Sequence, residues 1–197
     1  VVVLTNVGKV FCAGANLSER ASADAPAAVV DPQRLFGRFR RSPKPYVGRI
    51  AGHCVAGGMG LAAAMDISIA ADDTMFGFTE VRIGVIPAVI SVVCLPKMRR
   101  TDAAAAFLRG NRFPAAEAAR VGLINAAVPR DALNAEVAAV VGDLLLGAPE
   151  AIAQAKQLLA QVPAMPVDEA FAVTGGLSAR LFKSDEAREG ITAYLEK

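Results

Sequence analysis

The chain has 197 residues, of which 54% are hydrophobic and 20% are charged, so it has enough apolar material for the core of one ordinary domain. Its 21 basic and 19 acidic residues nearly balance, which argues against a surface that binds nucleic acid. No apolar run reaches the ~20 residues that span a bilayer, so we expect no membrane partner.

The N-terminal part of the chain predicts strands separated by turns and a helix. Residues 1–5 are apolar and β-branched, which is typical of a strand buried on both faces, and the missing initiator Met predicts that further residues precede them. Residues 22–30 lack periodicity and predict a surface loop. Asp31 and Pro32 favour the start of a helix that runs to Arg41.

The middle and the C-terminal part differ in their periodicity. Three further strands are predicted, over residues 46–50, 67–71 and 75–78. A glycine-rich turn at 51–60 and a small-residue helix reaching Met65 connect them, which implies a βαβ-type core. Beyond this core the predicted helices cover residues 87–99, 102–108, 115–121, 132–146, 149–161, 167–182 and 185–196. We therefore divide the chain into a mixed core over 1–130 and a helical region over 131–197.

Residues 11–16, Phe-Cys-Ala-Gly-Ala-Asn, follow the first predicted strand as a run of mostly small residues. Small residues let the main chain approach a ligand closely, and an exposed N–H group there has the chemistry to donate to an oxyanion. An ordinary tight turn accounts for the same residues. Both interpretations stay open at this point.

Residues 56–60, Ala-Gly-Gly-Met-Gly, stand at the start of the small-residue helix. The unpaired N–H groups and the positive dipole end of a helix start favour developing negative charge. The segment has neither the Gly-Lys-Ser/Thr of a phosphate loop nor the frame of a dinucleotide fingerprint, which argues against nicotinamide chemistry. Close helix packing through small residues is the alternative interpretation.

Glu80 is a lone acid in an apolar stretch that Gly77 and Gly84 bracket. Desolvation in such a stretch raises the pKa of a carboxyl group and suits it to proton transfer. An ion pair with Arg82, or a solvated loop position, would be the structural explanation for the same residue.

The single histidine, His53, and the cysteines Cys12, Cys54 and Cys94 are predicted to be structural. The cysteines are widely spaced without a C-x-x-C pair, so we expect no bound metal. No Ser or Cys stands in a nucleophile elbow. Reduced thiols of this kind predict a cytoplasmic protein.

The order and spacing of the three segments are more informative than any one of them. Phe-x-Ala-Gly-Ala-Asn at 11–16, Gly-Gly-x-x-Leu-Ala at 57–62 and Phe-Gly-x-x-Glu-x-x-x-Gly-x-x-Pro at 76–87 together closely resemble the crotonase (enoyl-CoA hydratase/isomerase) superfamily. Residues 109–124 and 182–190 are also similar to that superfamily. The resemblance covers nearly the whole chain.

The resemblance implies an α/β fold, a crotonase-like spiral of ββα units with a helical C-terminal trimerisation region. Residues 1–130 would form the crotonase core without its N-terminal part, and residues 131–197 the oligomerisation region. An acyl-CoA thioester would be the substrate, with coenzyme A as part of that substrate and no separate cofactor. A homotrimer or a dimer of trimers would be the assembly.

The resemblance also assigns roles to residues. Members of the superfamily stabilise a thioester enolate with two backbone amides, and the matching N–H groups belong to Ala15 and Gly57. Glu80 matches a catalytic glutamate. The residues that the resemblance assigns to substrate binding are Ala13, Gly14, Gly58 and Gly60.

The sequence departs from the two-glutamate hydratase pattern at Gly60, where the first glutamate would stand. We expect a hydratase-type lyase that adds water to a 2-enoyl-CoA, with a branched or methylglutaconyl-type substrate suggested by the similarity of residues 77–91 to a bacterial hydratase subgroup. One glutamate alone is the pattern of Δ3,Δ2-enoyl-CoA isomerases, which are the alternative. Thioester hydrolysis, dehydration of an unusual acyl-CoA and a non-catalytic acyl-CoA-binding homologue also stay open.

Overall fold

The computed structural model describes residues 1–17 and 31–196. The surface loop predicted over 22–30 lies outside these residues. No helix in the described ranges is long and apolar enough to cross a bilayer.

Two four-stranded sheets form the core, and most neighbouring strands in them run parallel. The first sheet has the order β1 (Val2–Thr5), β3 (Tyr46–Ile50), β5 (Ile67–Ala71) and β8 (Ala126–Val128). The second has the order β2 (Val10–Cys12), β4 (His53–Val55), β6 (Met75–Gly77) and β7 (Phe113–Pro114). From β1 to β6 successive strands alternate between the sheets, which produces the predicted spiral of ββα units.

Helices surround these sheets and continue alone at the C-terminus. Those packed around the strands are α1 (Pro32–Arg41), α2 (Gly57–Ala64), α3 (Ala88–Cys94), α4 (Arg100–Arg109) and α5 (Ala115–Arg120). The later ones are α6 (Leu133–Leu146), α7 (Pro149–Gln161), α8 (Val167–Leu181) and α9 (Asp185–Leu195). The division of the chain at residue 130 stays a prediction, because α6 packs directly on β3 and β5.

Local chemistry explains most of these boundaries. The Asp31 side chain accepts a hydrogen bond from the N–H of Gln33 and caps α1, which confirms the predicted helix start. The helix predicted over 87–99 is too long: α3 ends at Cys94 and a 3₁₀ turn follows. Pro96 stands in that turn and has no N–H to continue an α-helix.

The strand assignments differ from the sequence prediction in several places. The strand at 1–5 is not buried on both faces, because β1 lies at the edge of its sheet and its residues are half-buried or exposed. The strands β2 and β4 were not predicted. Each has only three residues, which is too short for an alternating pattern to be read.

The larger apolar core combines side chains of both sheets with those of the helices packed around them. Its largest fully buried side chains include Phe76, Phe78, Ile50 and Met59. A second, smaller cluster covers the other face of the first sheet, where Leu133 of α6 joins its strand residues. Burial of these side chains fixes the start of α2 against β2 and β6.

A buried ion pair ties the C-terminal helices to the core. Lys156 of α7 is 7% exposed, and its Nζ lies 2.7 Å from Oδ2 of Asp66 and 2.9 Å from the carbonyl oxygen of Lys44. The same ammonium group stands 5.2 Å from the centre of the Tyr46 ring. Its two hydrogen bonds run to the segment that precedes β3 and to the turn that precedes β5.

We predict that Lys156→Met lowers the free energy of unfolding by about 2 kcal/mol, because Asp66 loses a charged partner in a half-buried position. Urea denaturation measures the change. Lys183→Met is the matched control at an exposed lysine, and we expect it to change the free energy by less than about 0.5 kcal/mol. Equal midpoints for the two variants would contradict the anchoring role.

Candidate functional site

The structure brings the two predicted backbone segments into direct contact. A Cβ atom added to Gly14 would lie 3.0 Å from the Gly57 nitrogen, and one added to Gly57 would lie 3.0 Å from Cα of Gly14. Gly14 also has a positive φ of 90°. Main chain therefore packs on main chain here, at a separation that only glycine permits on both sides.

Gly58 completes this junction from the next position of α2. A Cβ atom there would lie 2.2 Å from the carbonyl oxygen of Cys12, the last residue of β2. The close-packing interpretation therefore holds for Gly58. This packing does not prevent the neighbouring N–H groups in the first turn of the helix from donating hydrogen bonds to a ligand.

The turn before α2 has an unusual backbone conformation. Ala56 has φ 49° and ψ −125°, and in the described ranges it is the one non-glycine residue with a positive φ. Its N–H donates to the carbonyl oxygen of Gly77 at 3.0 Å, and its own carbonyl oxygen accepts from Met59 N–H at 2.9 Å. Such strained backbone persists where surrounding contacts impose it and clusters at functional sites.

The N–H groups of Ala15 and Gly57 lie on the two sides of the junction. No acceptor for either group is found among residues 1–17 and 31–196. For Gly57 this follows from its place at the first position of a helix, where no preceding turn supplies a carbonyl oxygen. The partial positive charge of the helix start adds to the same position.

Glu80 opens a 3₁₀ turn, Glu80–Ile83, that follows the end of β6. The residue is half-buried, and its Oε2 is fully buried without a hydrogen-bond partner. Desolvation raises the pKa of this carboxyl group, and a hydrogen bond from its own backbone N–H offsets part of the rise. The predicted desolvation is thus confirmed.

The alternative of an ion pair with Arg82 is wrong. The Arg82 guanidinium instead donates to the carbonyl oxygen of Arg109 at 3.4 Å. Glu80 has no cationic partner within the described ranges. An unpaired, desolvated carboxyl group therefore remains in the turn that follows β6.

Two hydrogen bonds connect the segment that carries Glu80 to the start of α2. One is the bond from Ala56 N–H to Gly77, and the other runs from Gly77 N–H to the sulfur of Met59 at 3.3 Å. Gly77 lies three positions before Glu80. The arrangement holds the acid, the strained turn and the helix start in one unit.

Gly60 faces the interior of the protein. A Cβ atom on it would lie 2.4 Å from Cγ2 of Ile90 and 2.8 Å from Cζ of Phe36. Apolar side chains of α3 and α1 thus occupy the space into which a side chain at position 60 would project. Substrate contact by Gly60, and by Ala13, Gly14 and Gly58, stays a prediction.

His53 and the buried cysteines have structural surroundings, as predicted. Nδ1 of His53 accepts a hydrogen bond from the N–H of Met75 at 3.1 Å, so the ring joins β4 to β6. Burial raises the pKa of the Cys54 thiol and raises that of Cys94 to about 12, which keeps both protonated. These groups fill the core behind the junction.

Comparison with known proteins identifies the family. The family model described as enoyl-CoA hydratase/isomerase matches residues 1–197. The chain belongs to this family. A solved enoyl-CoA hydratase from Mycobacterium smegmatis is similar over 100% of this chain and 79% of its own, with a TM-score of 0.86 and 27% identity. The crotonase-like fold expected from the sequence is therefore confirmed.

Similarity to curated sequences supports the same family membership. A Thermus thermophilus protein described as a candidate enoyl-CoA hydratase is 33% identical over 202 residues, covering 100% of this chain and 80% of that protein. The carnitinyl-CoA dehydratase of Escherichia coli strain K12 is 31% identical over 205 residues, covering 100% of this chain and 78% of the enzyme.

The structure reveals residues that the sequence interpretation missed. The strained turn residue Ala56 had no detectable signal, because alanine is not a residue that favours positive φ. Ile90 and Phe36 carried no signal that singled them out in the sequence. Their contact with Gly60 in the structure reveals that they fill the space that the side chain of a first glutamate would occupy.

We predict that Gly60→Glu lowers stability by about 1–3 kcal/mol without raising the rate of crotonyl-CoA hydration. The new side chain would overlap Ile90 and Phe36, and a carboxylate would be buried beside apolar groups. Thermal unfolding and the pH profile of hydration measure both effects.

Gly142→Glu is the matched control, because Gly142 is exposed in α6 with open space around its Cα. We expect that control to keep both stability and rate. A several-fold gain in hydration by Gly60→Glu, together with a second ionisation in its pH profile, would contradict the prediction.

Proposed function

We propose that this protein is an enoyl-CoA hydratase-type lyase that adds water to a 2-enoyl-CoA thioester. The observation that carries the proposal is the half-buried Glu80, which has one carboxyl oxygen fully buried and unpartnered. It stands three residues after Gly77, which is hydrogen-bonded to Ala56 and Met59 at the start of α2. Membership of the enoyl-CoA hydratase/isomerase family supports acyl-CoA as the substrate class.

The N–H groups of Ala15 and Gly57 would hold the thioester oxygen. When water adds to C3 of the enoyl group, electrons move onto this oxygen and an enolate forms. Two preorganised donors stabilise that charge more than they stabilise the neutral ground state. A donor of this kind typically contributes ~10²–10³-fold in rate. The positive end of α2 adds to the same effect.

Glu80 would act as the base in the first step and as the acid in the second. Its carboxylate takes a proton from the attacking water as the oxygen bonds to C3, and the resulting acid then gives a proton to C2 of the enolate. One carboxyl group can do both because it returns to its starting state. A raised pKa helps, since it brings the acid and base forms closer in free energy near neutral pH.

The single carboxyl group also favours a second candidate, a Δ3,Δ2-enoyl-CoA isomerase. In that reaction Glu80 would remove a proton from C2 and return it to C4, with no water needed. The filled space beside Gly60 supports this alternative, because it leaves no room for a second acid. Gain of conjugated thioester absorbance from a 3-enoyl-CoA distinguishes it from hydration, which removes that absorbance.

Other members of the family widen the choice of acyl group. The similarity to carnitinyl-CoA dehydratases supports the reverse direction, loss of water from a hydroxyacyl-CoA, as a further alternative. A branched or methylglutaconyl-type substrate remains part of our proposal, and a non-catalytic acyl-CoA-binding role is the outcome if no thioester turns over. Turnover of a panel of short, branched and hydroxylated acyl-CoA esters decides among them.

The remaining expectations accompany this function. We propose that Ala13, Gly14 and Gly58 contact the CoA thioester, that no cofactor other than the CoA of the substrate is needed, and that the protein is cytoplasmic. The free thiols Cys12, Cys54 and Cys94 support the last of these.

We predict that Glu80→Gln lowers kcat for hydration by about 10²–10⁴-fold and leaves binding of butyryl-CoA intact. The amide keeps the shape of the side chain and removes the proton-transfer group. Glu189→Gln, at an exposed glutamate of α9, is the control that should keep full activity. Near-normal turnover in Glu80→Gln would remove Glu80 from the mechanism.

We predict that kcat/KM falls as the pH is lowered through the raised pKa of Glu80, with a midpoint above the ordinary glutamate value of about 4.3. Burial disfavours the charged form, so the base form is present above this pKa and lost below it. A pH–rate profile from pH 4 to 9 measures the midpoint. A midpoint at or below the ordinary value would contradict the desolvated site.

We also propose a homotrimer, or a dimer of trimers, built through the C-terminal helices. These helices expose large apolar side chains: Phe171 at 73%, Phe182 at 71%, Tyr194 at 79% and Leu195 at 77%. Leu177 and Leu181 are half-buried beside them. So much apolar surface on neighbouring helices favours a partner.

We predict a trimer or hexamer in light scattering, and a shift of about tenfold or more towards monomer for Phe182→Asp. Val7→Asp is the control, since Val7 is fully exposed but lies outside the C-terminal helices. A stable, active monomer of the unmodified protein would contradict the proposed assembly.

A further inference from the structure

The segment that leads to the candidate acid lies along residues 107–113, which we call the support segment. Phe76 of β6 pairs with Phe113 of β7 in an antiparallel ladder. Two residues further on, the ring of Phe78 packs on the ring of Phe107, with centroids 4.1 Å apart. Residues 109–113 of the support segment resemble the family, but they have no role in the proposed function.

Glycines allow the closest approach between the two segments. A Cβ atom on Gly77 would lie 3.0 Å from the carbonyl oxygen of Asn111. Gly110 ends α4 in the left-handed conformation, with φ 60°, and a Cβ atom on it would lie 2.7 Å from Cγ2 of Val81. Val81 is the neighbour of Glu80 in the 3₁₀ turn, so the turn rests directly on Gly110.

Arg82 adds a polar contact at the same place. A Cβ atom on Gly110 would lie 3.1 Å from Cγ of Arg82, and the guanidinium group reaches the carbonyl oxygen of Arg109 at 3.4 Å. This carbonyl belongs to the last turn of α4, where a positive charge is favourable. The Glu80 turn is thus bound to the end of α4 by packing and by one charged donor.

We propose that Gly110 is a positioning residue for Glu80: the absence of a side chain at position 110 lets the 3₁₀ turn settle on the end of α4 and fixes where the Glu80 carboxyl group stands. This inference rests on the proposed role of Glu80 as the acid/base. Gly110 touches neither substrate nor reacting atoms and acts only through Val81 and Arg82.

The expected consequence is a defect in chemistry more than in binding. A side chain at position 110 pushes Val81 away and moves the adjacent carboxyl group relative to the enolate carbon. A displacement of about 1 Å at a proton-transfer group typically costs about 10²-fold in rate. Donors at Ala15 and Gly57 belong to other elements and keep their places, so thioester binding is retained.

The test compares three variants of the full chain. Gly110→Ala should lower kcat for the best thioester of the panel by about 10–100-fold, with KM changed less than about threefold. Gly8→Ala is the matched control: Gly8 also has a positive φ of 81°, but nothing lies within 4 Å of its added Cβ. It carries the same backbone strain without the overlap and should keep kcat within about twofold.

A rescue variant separates positioning from loss of stability. Val81→Ala removes the methyl group that Gly110→Ala would strike, so the double variant should recover at least threefold in kcat over Gly110→Ala. Two independent destabilising changes would instead accumulate. Lack of rescue, or a Gly110→Ala rate equal to that of Gly8→Ala, overturns the proposal.

A readout without turnover keeps the inference distinct from the proposed function. The Glu80 carboxyl pKa, measured by NMR titration, should fall towards the ordinary value in Gly110→Ala and rise again in the double variant, because displacement exposes the group to water. If the parent protein is inactive but the Glu80 pKa changes in the variants as expected, only the lyase proposal is overturned. An unchanged titration in Gly110→Ala overturns the positioning role, whatever the activity.

If Gly110→Ala fails to fold, Arg82→Met provides the same test without an overlap. It removes the hydrogen bond to Arg109 and should lower kcat while sparing KM, and Arg82→Lys should restore part of the loss. Equal kcat values for Arg82→Met and the parent protein would then overturn the proposal.

Discussion

The close approach of Gly14 to Gly57 is the constraint on which the site depends. Main-chain atoms of a turn and of a helix start lie in contact, and a single methyl group on either residue would separate them. This contact brings Gly57, which carries the first N–H group of α2, against the turn that carries Ala15. Side chains elsewhere can vary, but the distance between these donors is set by backbone packing.

The second determinant is the dry environment of Glu80. Glu80 lacks a cationic partner within the described ranges, and one of its carboxyl oxygens is buried, so desolvation raises the pKa of this carboxyl group. Hydrogen bonds from Ala56 and Gly77 connect this acid to the helix start. The proposed donors for negative charge and the proposed proton-transfer group therefore belong to connected segments of the fold.

Sequence reasoning succeeded where local chemistry alone decides the structure. The helix start at Asp31 follows from its capping side chain, and the strand at 67–71 follows from its buried apolar run. The desolvation of Glu80 could be anticipated from its apolar neighbours. The helices that follow the last strand were visible in the change of periodicity.

Features that depend on contacts between distant residues could not be predicted. Three-residue strands such as β4 carry no readable alternation and exist because a neighbouring strand pairs with them. The positive φ of Ala56 is imposed by its surroundings against the preference of alanine. The space beside Gly60 is filled by side chains of α1 and α3, and this can be predicted only when the packing of these helices is known.

Donors that belong to the main chain give this site an uncommon kind of mutational robustness. Every residue other than proline carries an N–H group, so no ordinary replacement of Ala15 deletes the donor chemically. Damage arises by steric displacement, when an added side chain at Gly14 or Gly57 forces the two backbones apart. The proposed donors thus depend on the absence of side chains at Gly14 and Gly57, and a search for functional side chains would overlook them.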